Sequence, residues 1–261
     1  MSDLGPYRSL SVAVDDGIAT VTIDRPDVLN ALDTAAVNDL GRAFDELALR
    51  PEIDAIVLTG AGDRAFSSGA DVSEYETADE RYHRPRSRQS YEMVKKARSV
   101  RPPTIARIDG YCLGGGLTLA MYCDLRIASE TAEFGVPTTR IGQIPGGGVT
   151  YRLVELVGEA GAKEIVLLGD RIDADRARTL GLVNRVVPAE ELEETVDTVT
   201  AAIQNAEDGA AAAAKASINQ VADETDRAAA FAEETDRWLA QYLGDTQTKP
   251  AGDDGDVSDE H

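Results

Sequence analysis

An α/β fold is what this sequence predicts, and three observations predict it. Buried-strand patterns occur at residues 55–59, a continuous apolar run, and at 104–108 and 124–128; glycine-rich turns follow the first two; helical periodicity dominates the second half. Taken in order, residues 10–24 alternate apolar and polar side chains around Asp15-Asp16-Gly17, the pattern of a β-hairpin. Residues 25–33 read as a loop opened by Pro26. Over residues 34–50, Val37, Leu40, Phe44 and Leu47 recur at helical spacing until Pro51 stops the run. The strand at 55–59 ends at Gly60-Ala61-Gly62. Residues 69–90 are polar and read as irregular, with a helix towards Arg98, and Pro102-Pro103 reset the chain before the strand at 104–108. The Gly114-Gly115-Gly116 turn leads into a short apolar helix at 117–122, and the strand at 124–128 comes after it. Beyond Val149 the pattern is helical, with Gly158, Gly169 and Gly181 marking ends and a brief strand at 183–187 before Pro188. Residues 189–204 and 210–242 read as two long helices, the second carrying Phe231, Trp238 and Leu239. The last 18 residues hold six acids, one lysine and no aromatic, the composition of a disordered tail. The expected layout is a β/α core over 1–190, a helical region over 191–243 and an acidic tail over 244–261, with no fixed-period sequence repeat.

Charge bounds the function. The chain of 261 residues carries 26 Lys+Arg against 47 Asp+Glu, a net charge of −21. Nucleic acid and anionic membrane both demand a basic footprint, so neither is expected as a partner. No stretch approaches the ~20 apolar residues of a membrane span, and the first ten residues lack the apolar segment of a signal peptide, so a cytoplasmic location is expected. Cys112 and Cys123 are the only cysteines and His83 and His261 the only histidines, which argues against a disulfide scaffold and leaves no expected metal site. Only five of the basic residues are lysine, and Asp outnumbers Glu by 27 to 20. An acidic, lysine-poor surface of this kind resembles proteins of salt-loving cells, because molar salt shrinks the screening length to roughly 3 Å and dense like charge becomes tolerable. The expected outcome is a protein that loses thermal stability, or dissociates, below about molar salt. Equal melting temperatures across the range from about 3 M to 0.1 M KCl would refute it.

Several common motifs are absent. Leu119 stands where the third glycine of a dinucleotide fingerprint belongs, there is no Gly-Lys-Ser/Thr phosphate loop, and no Gly-x-Ser-x-Gly elbow. Two glycine-rich turns remain, at 65–71 (AFSSGAD) and 110–116 (GYCLGGG). Glycine after a strand signals first of all a tight turn. The second triplet also opens a helix, where unpaired N–H groups point outward and can stabilise an oxyanion without any side chain taking part. Two such loops side by side would supply two donors.

Over about residues 10–243 the chain resembles a known family. The stretches at 24–32 (DRPDVLNAL), 56–60 (IVLTG), 66–72, 110–119, 123–128 (CDLRIA), 134–137 (FGVP), 142–147 (GQIPGG) and 177–188 are similar, in order and spacing, to the enoyl-CoA hydratase/isomerase (crotonase) superfamily. The resemblance implies a crotonase-like ββα superhelix, a spiral of short strands and helices, with a C-terminal helical region that builds homotrimers or dimers of trimers. It implies an acyl-CoA thioester as substrate, with CoA entering as part of that substrate rather than as a separate cofactor. The family's two oxyanion-hole N–H groups fall here on Ala70 and Gly115. Its CoA contacts fall on Val28, Ala31, Ser68, Asp71, Val72, Leu113 and Gly114, with Arg25 as a phosphate partner and Arg140 as a group that could fix a substrate carboxylate.

The resemblance breaks at the proton carriers. Family hydratases place two glutamates at stations that hold Thr118 and Thr138 here, and a third acid station falls on Gly146. A threonine hydroxyl does not ionise near neutral pH, so it can hold a water or a substrate oxygen but cannot act as a general base. Glu74, Tyr75, His83 and Arg140 are the candidates to replace the missing function. Three readings remain open: a hydratase/isomerase-type enzyme with its acid and base elsewhere; decarboxylation of a malonyl-type thioester, or thioester hydrolysis, in the same pocket; and a non-catalytic relative that binds acyl-CoA.

Overall fold

A computed structural model of the chain describes residues 4–74, 80–206 and 209–222, together with Thr235, Asp236 and Leu239. The chain starts with the expected hairpin, β1 (Leu10–Asp15) antiparallel to β2 (Ile18–Ile23), turning at Asp16 and Gly17, both at positive φ. Helix α1 (Thr34–Ala48) is next; the Asp33 carboxylate accepts from the Ala36 amide and caps it. Three strand–strand–helix turns succeed it. The first is β3 (Ala55–Gly60), β4 (Ala65–Ser67) and α2 (Glu80–Ser99); the second is β5 (Thr104–Ile108), β6 (Tyr111–Leu113) and α3 (Gly115–Tyr122); the third is β7 (Leu125–Ser129), β8 (Glu133–Gly135) and α4 (Val149–Leu168). The chain continues through β9 (Ile172–Asp173), α5 (Ala174–Thr179), β10 (Arg185–Val187), α6 (Leu192–Gln204) and α7 (Ala210–Ala222).

Each turn of this spiral gives one strand to each of two sheets. The larger sheet runs β1-β2-β3-β5-β7-β10, the smaller β4-β6-β8-β9. Within the larger sheet the strands from β2 onward pair in parallel, and parallel strands need crossovers, which the helices provide. The continuous apolar runs in the sequence now have their reason: these strands are covered on both faces. Ile56, Leu58, Ala106 and Ile108 point into the main core with α1, α2 and α3. Their alternates Ala55, Val57, Ile105 and Ile127 meet Leu192, Val196 and Val199 of α6 on the opposite face.

The α/β class and the major strands stand as expected, and four local readings need correction. The segment read as irregular up to residue 90 is helical from Glu80, in spite of Pro85, because Tyr91, Met93, Val94 and Ala97 bury one face and extend the helix backwards. The strands of the smaller sheet, two or three residues each, are too short to show a period. The helix expected over 189–204 begins as a 3-10 turn, Ala189–Glu191, before α6 proper. Gly158, expected as a helix end, interrupts α4 from within at φ 73°.

Helix α7 docks on the chain's own core. The Lys215 ammonium, 9% exposed, pairs with the Asp124 carboxylate at 2.7 Å and donates to the Pro102 carbonyl at 2.9 Å. Burial lowers its pKa against the opposing pull of Asp124. The helix expected over 210–242 is described to Ala222; Phe231 and Trp238, and the tail over 244–261, lie outside the described residues. Leu239 is 2% exposed within the single chain. Cys112 and Cys123 are both free and buried in the core, and burial pushes the Cys123 thiol up to about 12. No helix among the described residues is long and apolar enough to cross a membrane.

Candidate active site

The two glycine-rich loops meet because β4 and β6 are neighbours in the smaller sheet, so the loops leaving their C-terminal ends emerge at the same edge. The loop after β4 is stitched to residues 29–32. Ser68 N–H donates to the Leu29 carbonyl at 2.9 Å, Leu32 N–H to Gly69 at 2.7 Å, and Asp71 N–H to Leu32 at 3.1 Å. Leu32 and Ala70 thereby form a parallel bridge in which Leu32 bonds to the residues on either side of Ala70. Successive peptide groups of an extended chain alternate direction, so the N–H of Ala70 itself faces away from Leu32. Across from it, Gly115 opens α3, where the first N–H groups of a helix have no intrahelical partner.

Close approach of the loops depends on missing side chains. Gly69 sits at φ 105°, and a Cβ there would lie 2.9 Å from the Leu113 carbonyl oxygen and 3.0 Å from the Gly115 nitrogen. A Cβ on Gly115 would lie 3.3 Å from the Ala70 nitrogen. The Ala70 and Gly115 nitrogens therefore lie close to one another across the two loops. Asn30, fully buried at positive φ, fastens the supporting loop by donating to the Ala61 and Ala65 carbonyls at 3.0 and 2.7 Å.

Arg25 and Asp71 brace this arrangement. The Arg25 guanidinium reaches Asp71 at 3.0 Å, Asp33 at 3.2 Å and the Ala31 carbonyl at 2.5 Å. A hydrogen bond from the Ser73 hydroxyl, and then one from Arg25, hold the Asp71 carboxyl below its ordinary 3.8. A depressed carboxyl stabilises the fold fully above its unfolded value and loses that contribution as pH falls through the folded one. Asp71→Asn should accordingly melt below wild type at pH 5–7, with the gap closing below about pH 3.8. A gap that persists at pH 2 would show that the carboxylate charge is not what matters.

The paired amides open on a cavity of about 510 Å³. Of the residues singled out in the sequence, Ala70, Gly115, Thr118, Thr138, Ser68, Val72, Gly114 and Arg140 line it, as does Gly146. Arg25, Val28, Ala31, Asp71 and Leu113 lie outside its lining; Val28 is exposed and Ala31 is buried. Thr118 is 4% exposed, and its hydroxyl donates to the Gly114 carbonyl at 3.0 Å. The Thr138 hydroxyl is buried and makes no hydrogen bond among the described residues.

The candidate proton carriers separate. The Glu74 carboxylate accepts from the Thr34 amide at 2.9 Å and from the Thr34 hydroxyl at 3.0 Å, so it caps α1 from outside the cavity lining. Arg140 lines the cavity but is paired with Asp170, with its side chain 58% exposed. Tyr75 and the side chain of His83 lie outside the described residues.

Three further residues on α2 are not singled out by the sequence yet line the cavity: Arg86, Ser87 and Ser90. They sit in a run of arginines (81, 84, 86 and 88) that reads as a solvated face. The signal that could have found them is helical spacing. Counting towards the N-terminus by threes and fours from buried Ala97 gives Val94 and Met93, then Ser90, then Arg86 and Ser87.

Known proteins share both the sequence pattern and the architecture. The family model described as enoyl-CoA hydratase/isomerase matches residues 13–249. A probable enoyl-CoA hydratase of Mycobacterium tuberculosis is 38% identical over 214 residues, 82% of each chain. A short-chain-enoyl-CoA hydratase of Clostridium acetobutylicum is 37% identical over 203 residues, 78% of each chain. Among solved structures, an enoyl-CoA hydratase from Mycobacterium avium subsp. paratuberculosis superposes with a TM-score of 0.83 at 33% identity, covering 92% of this chain and 95% of that one. The crotonase-like architecture expected from the sequence is the one these neighbours share.

Proposed function

Because the chain belongs to the enoyl-CoA hydratase/isomerase family, we propose that it binds an acyl-CoA thioester and stabilises the enolate oxygen through the N–H groups of Ala70 and Gly115. The observation that supports this reading is the closeness of those two amide nitrogens, from different turns of the spiral, in the wall of one cavity. A thioester carbonyl gains negative charge when a proton, or carbon dioxide from a carboxylate, leaves the neighbouring carbon and its electron pair stays behind. Preorganised main-chain donors meet that charge without reorganising and leave every side chain in the cavity for other work.

Proton transfer is the part of the family chemistry that this cavity supplies differently. Among its described lining residues there is no aspartate or glutamate. Thr118 and Thr138 can hold a water or a substrate oxygen, so the reaction is one in which enolate stabilisation contributes more than general-base catalysis. Assembly as a homotrimer or dimer of trimers, a salt-adapted surface and a cytoplasmic location belong to the same reading.

The enolate itself offers a test that needs no knowledge of the reaction. Acetoacetyl-CoA forms an enolate that absorbs in the near ultraviolet, and a site that favours the oxyanion raises the enolate fraction on binding. Titration with this ligand at near-neutral pH should give a saturable increase in enolate absorbance. Binding with no increase would mean that the two amides do not meet the thioester oxygen.

A further inference from the structure

Resting on the acyl-CoA reading, we propose that the acyl pocket selects a chain bearing a carboxylate, received by Arg86 with Ser87 and Thr138 beside it. Three observations lead here. First, Arg86 is 3% exposed and lines the cavity, whereas the other arginine of the lining, Arg140, stands at the surface against Asp170. In a chain of net charge −21, the described lining holds two arginines and no acid, their ion-pair partners Glu74 and Asp170 standing outside it.

Second, the guanidinium is held in place without being saturated. Its Nη1 donates to the Ser90 hydroxyl at 2.5 Å and its Nη2 to the Leu32 carbonyl at 2.9 Å. The Nε–H makes no hydrogen bond among the described residues; Glu74 Oε2 forms an ion pair with it at 3.9 Å, too far to accept its proton. Arginine carries five N–H donors in a planar fork suited to carboxylate oxygens, and this one keeps donors to spare. Leu32 is also the residue bridged to Ala70, so the guanidinium is anchored beside the oxyanion strand.

Third, two hydroxyls around the same cavity, Ser87 Oγ and Thr138 Oγ1, are buried and unbonded among the described residues. Buried polar groups without partners are rare, and each carries its full desolvation cost. Arg86 Nε and these two hydroxyls belong to residues of one cavity wall, and together they suit a ligand that accepts several hydrogen bonds at once. A carboxylate is acceptor-only with two oxygens, and it can take the guanidinium donors that the distant Glu74 pair leaves unbonded.

Calorimetric titration at fixed ionic strength tests this with butyryl-CoA against malonyl-, succinyl- and glutaryl-CoA. At least one carboxylated ligand should bind wild type about tenfold or more tightly than butyryl-CoA, the range for hydrogen bonds to charged groups. Arg86→Met should abolish that preference and leave butyryl-CoA affinity within a few-fold, a split that a merely structural arginine would not produce. Should Arg86→Met fail to fold, Ser87→Ala decides: it should weaken the preferred ligand several-fold with an unchanged melting temperature. Equal binding of butyryl-CoA and all three carboxylated ligands to wild type would overturn the inference and leave the acyl-CoA reading standing. A preference that survives intact in folded Arg86→Met would likewise overturn it. If no acyl-CoA binds more tightly than CoA, the broader reading falls and this one with it.

Discussion

Replacing Thr118 and Thr138 together by glutamate should raise crotonyl-CoA hydration at least ~10²-fold over wild type, the lower end for one positioned acid/base. Addition of water to an α,β-unsaturated thioester needs a base to activate the water and an acid to protonate the α-carbon. Both threonines line the cavity into which the paired amides open, so carboxylates introduced there would face the bound acyl chain. Position 118 lies in the first turns of α3, where the helix dipole favours a negative charge, and Arg86 and Arg140 moderate the repulsion between two carboxylates. Each single substitution should achieve far less, because the two groups act on one water and fail as a unit. Repulsion can keep one carboxyl protonated, so the rate should be followed from about pH 6 to 9. Rapid hydration by the unmodified protein would overturn this expectation, since some other group would already be moving the proton.

Gly115→Pro should lower turnover, or the enolate absorbance with acetoacetyl-CoA, by ~10²–10³-fold, the usual cost of one oxyanion donor. Residue 115 is the first of α3, the one helical position where proline fits and where the lost N–H has no intrahelical acceptor. The helix should therefore survive while the donor is lost, and an unchanged circular dichroism spectrum would confirm that. Gly115→Ala separates the donor from the space it occupies: the N–H stays, but a methyl arrives 3.3 Å from the Ala70 nitrogen, so an intermediate loss is expected. Ala70→Ser, on an exposed side chain that leaves its N–H in place, should lose much less than either. Full activity in folded Gly115→Pro would mean that the hole lies elsewhere.

The range of the interactions involved decides which parts were legible in the sequence. The hairpin, the capped helix α1 and the glycine loops are specified by neighbours within a few residues, and all three are readable. The large sheet was readable because strands covered on both faces must be apolar throughout, as at Ile56, Val57 and Leu58. The spiral itself was hidden. Its turns open at residues 55, 104 and 125, unequal steps that leave no period to find. Strands of two or three residues, such as Ile172–Asp173, owe their existence to partners distant in the chain. The site divides the same way. Ala70 and Gly115 lie in local motifs, whereas Arg86 becomes part of the cavity only through the packing of α2 against α1 and α3. Its charge reads as surface until that helix is placed.

The bridge between Leu32 and Ala70 has a bearing on how such a site can change over generations. The Ala70 and Gly115 amides are placed by main-chain pairing and by glycines, so substitutions confined to wall side chains leave that framework intact. Wall positions such as 118 and 138 can thus change by single codons without disturbing the framework that carries the two amides. The parts that cannot drift are the ones with no side chain to alter. A backbone built this way keeps its two amides in place and leaves the side chains around them open to revision.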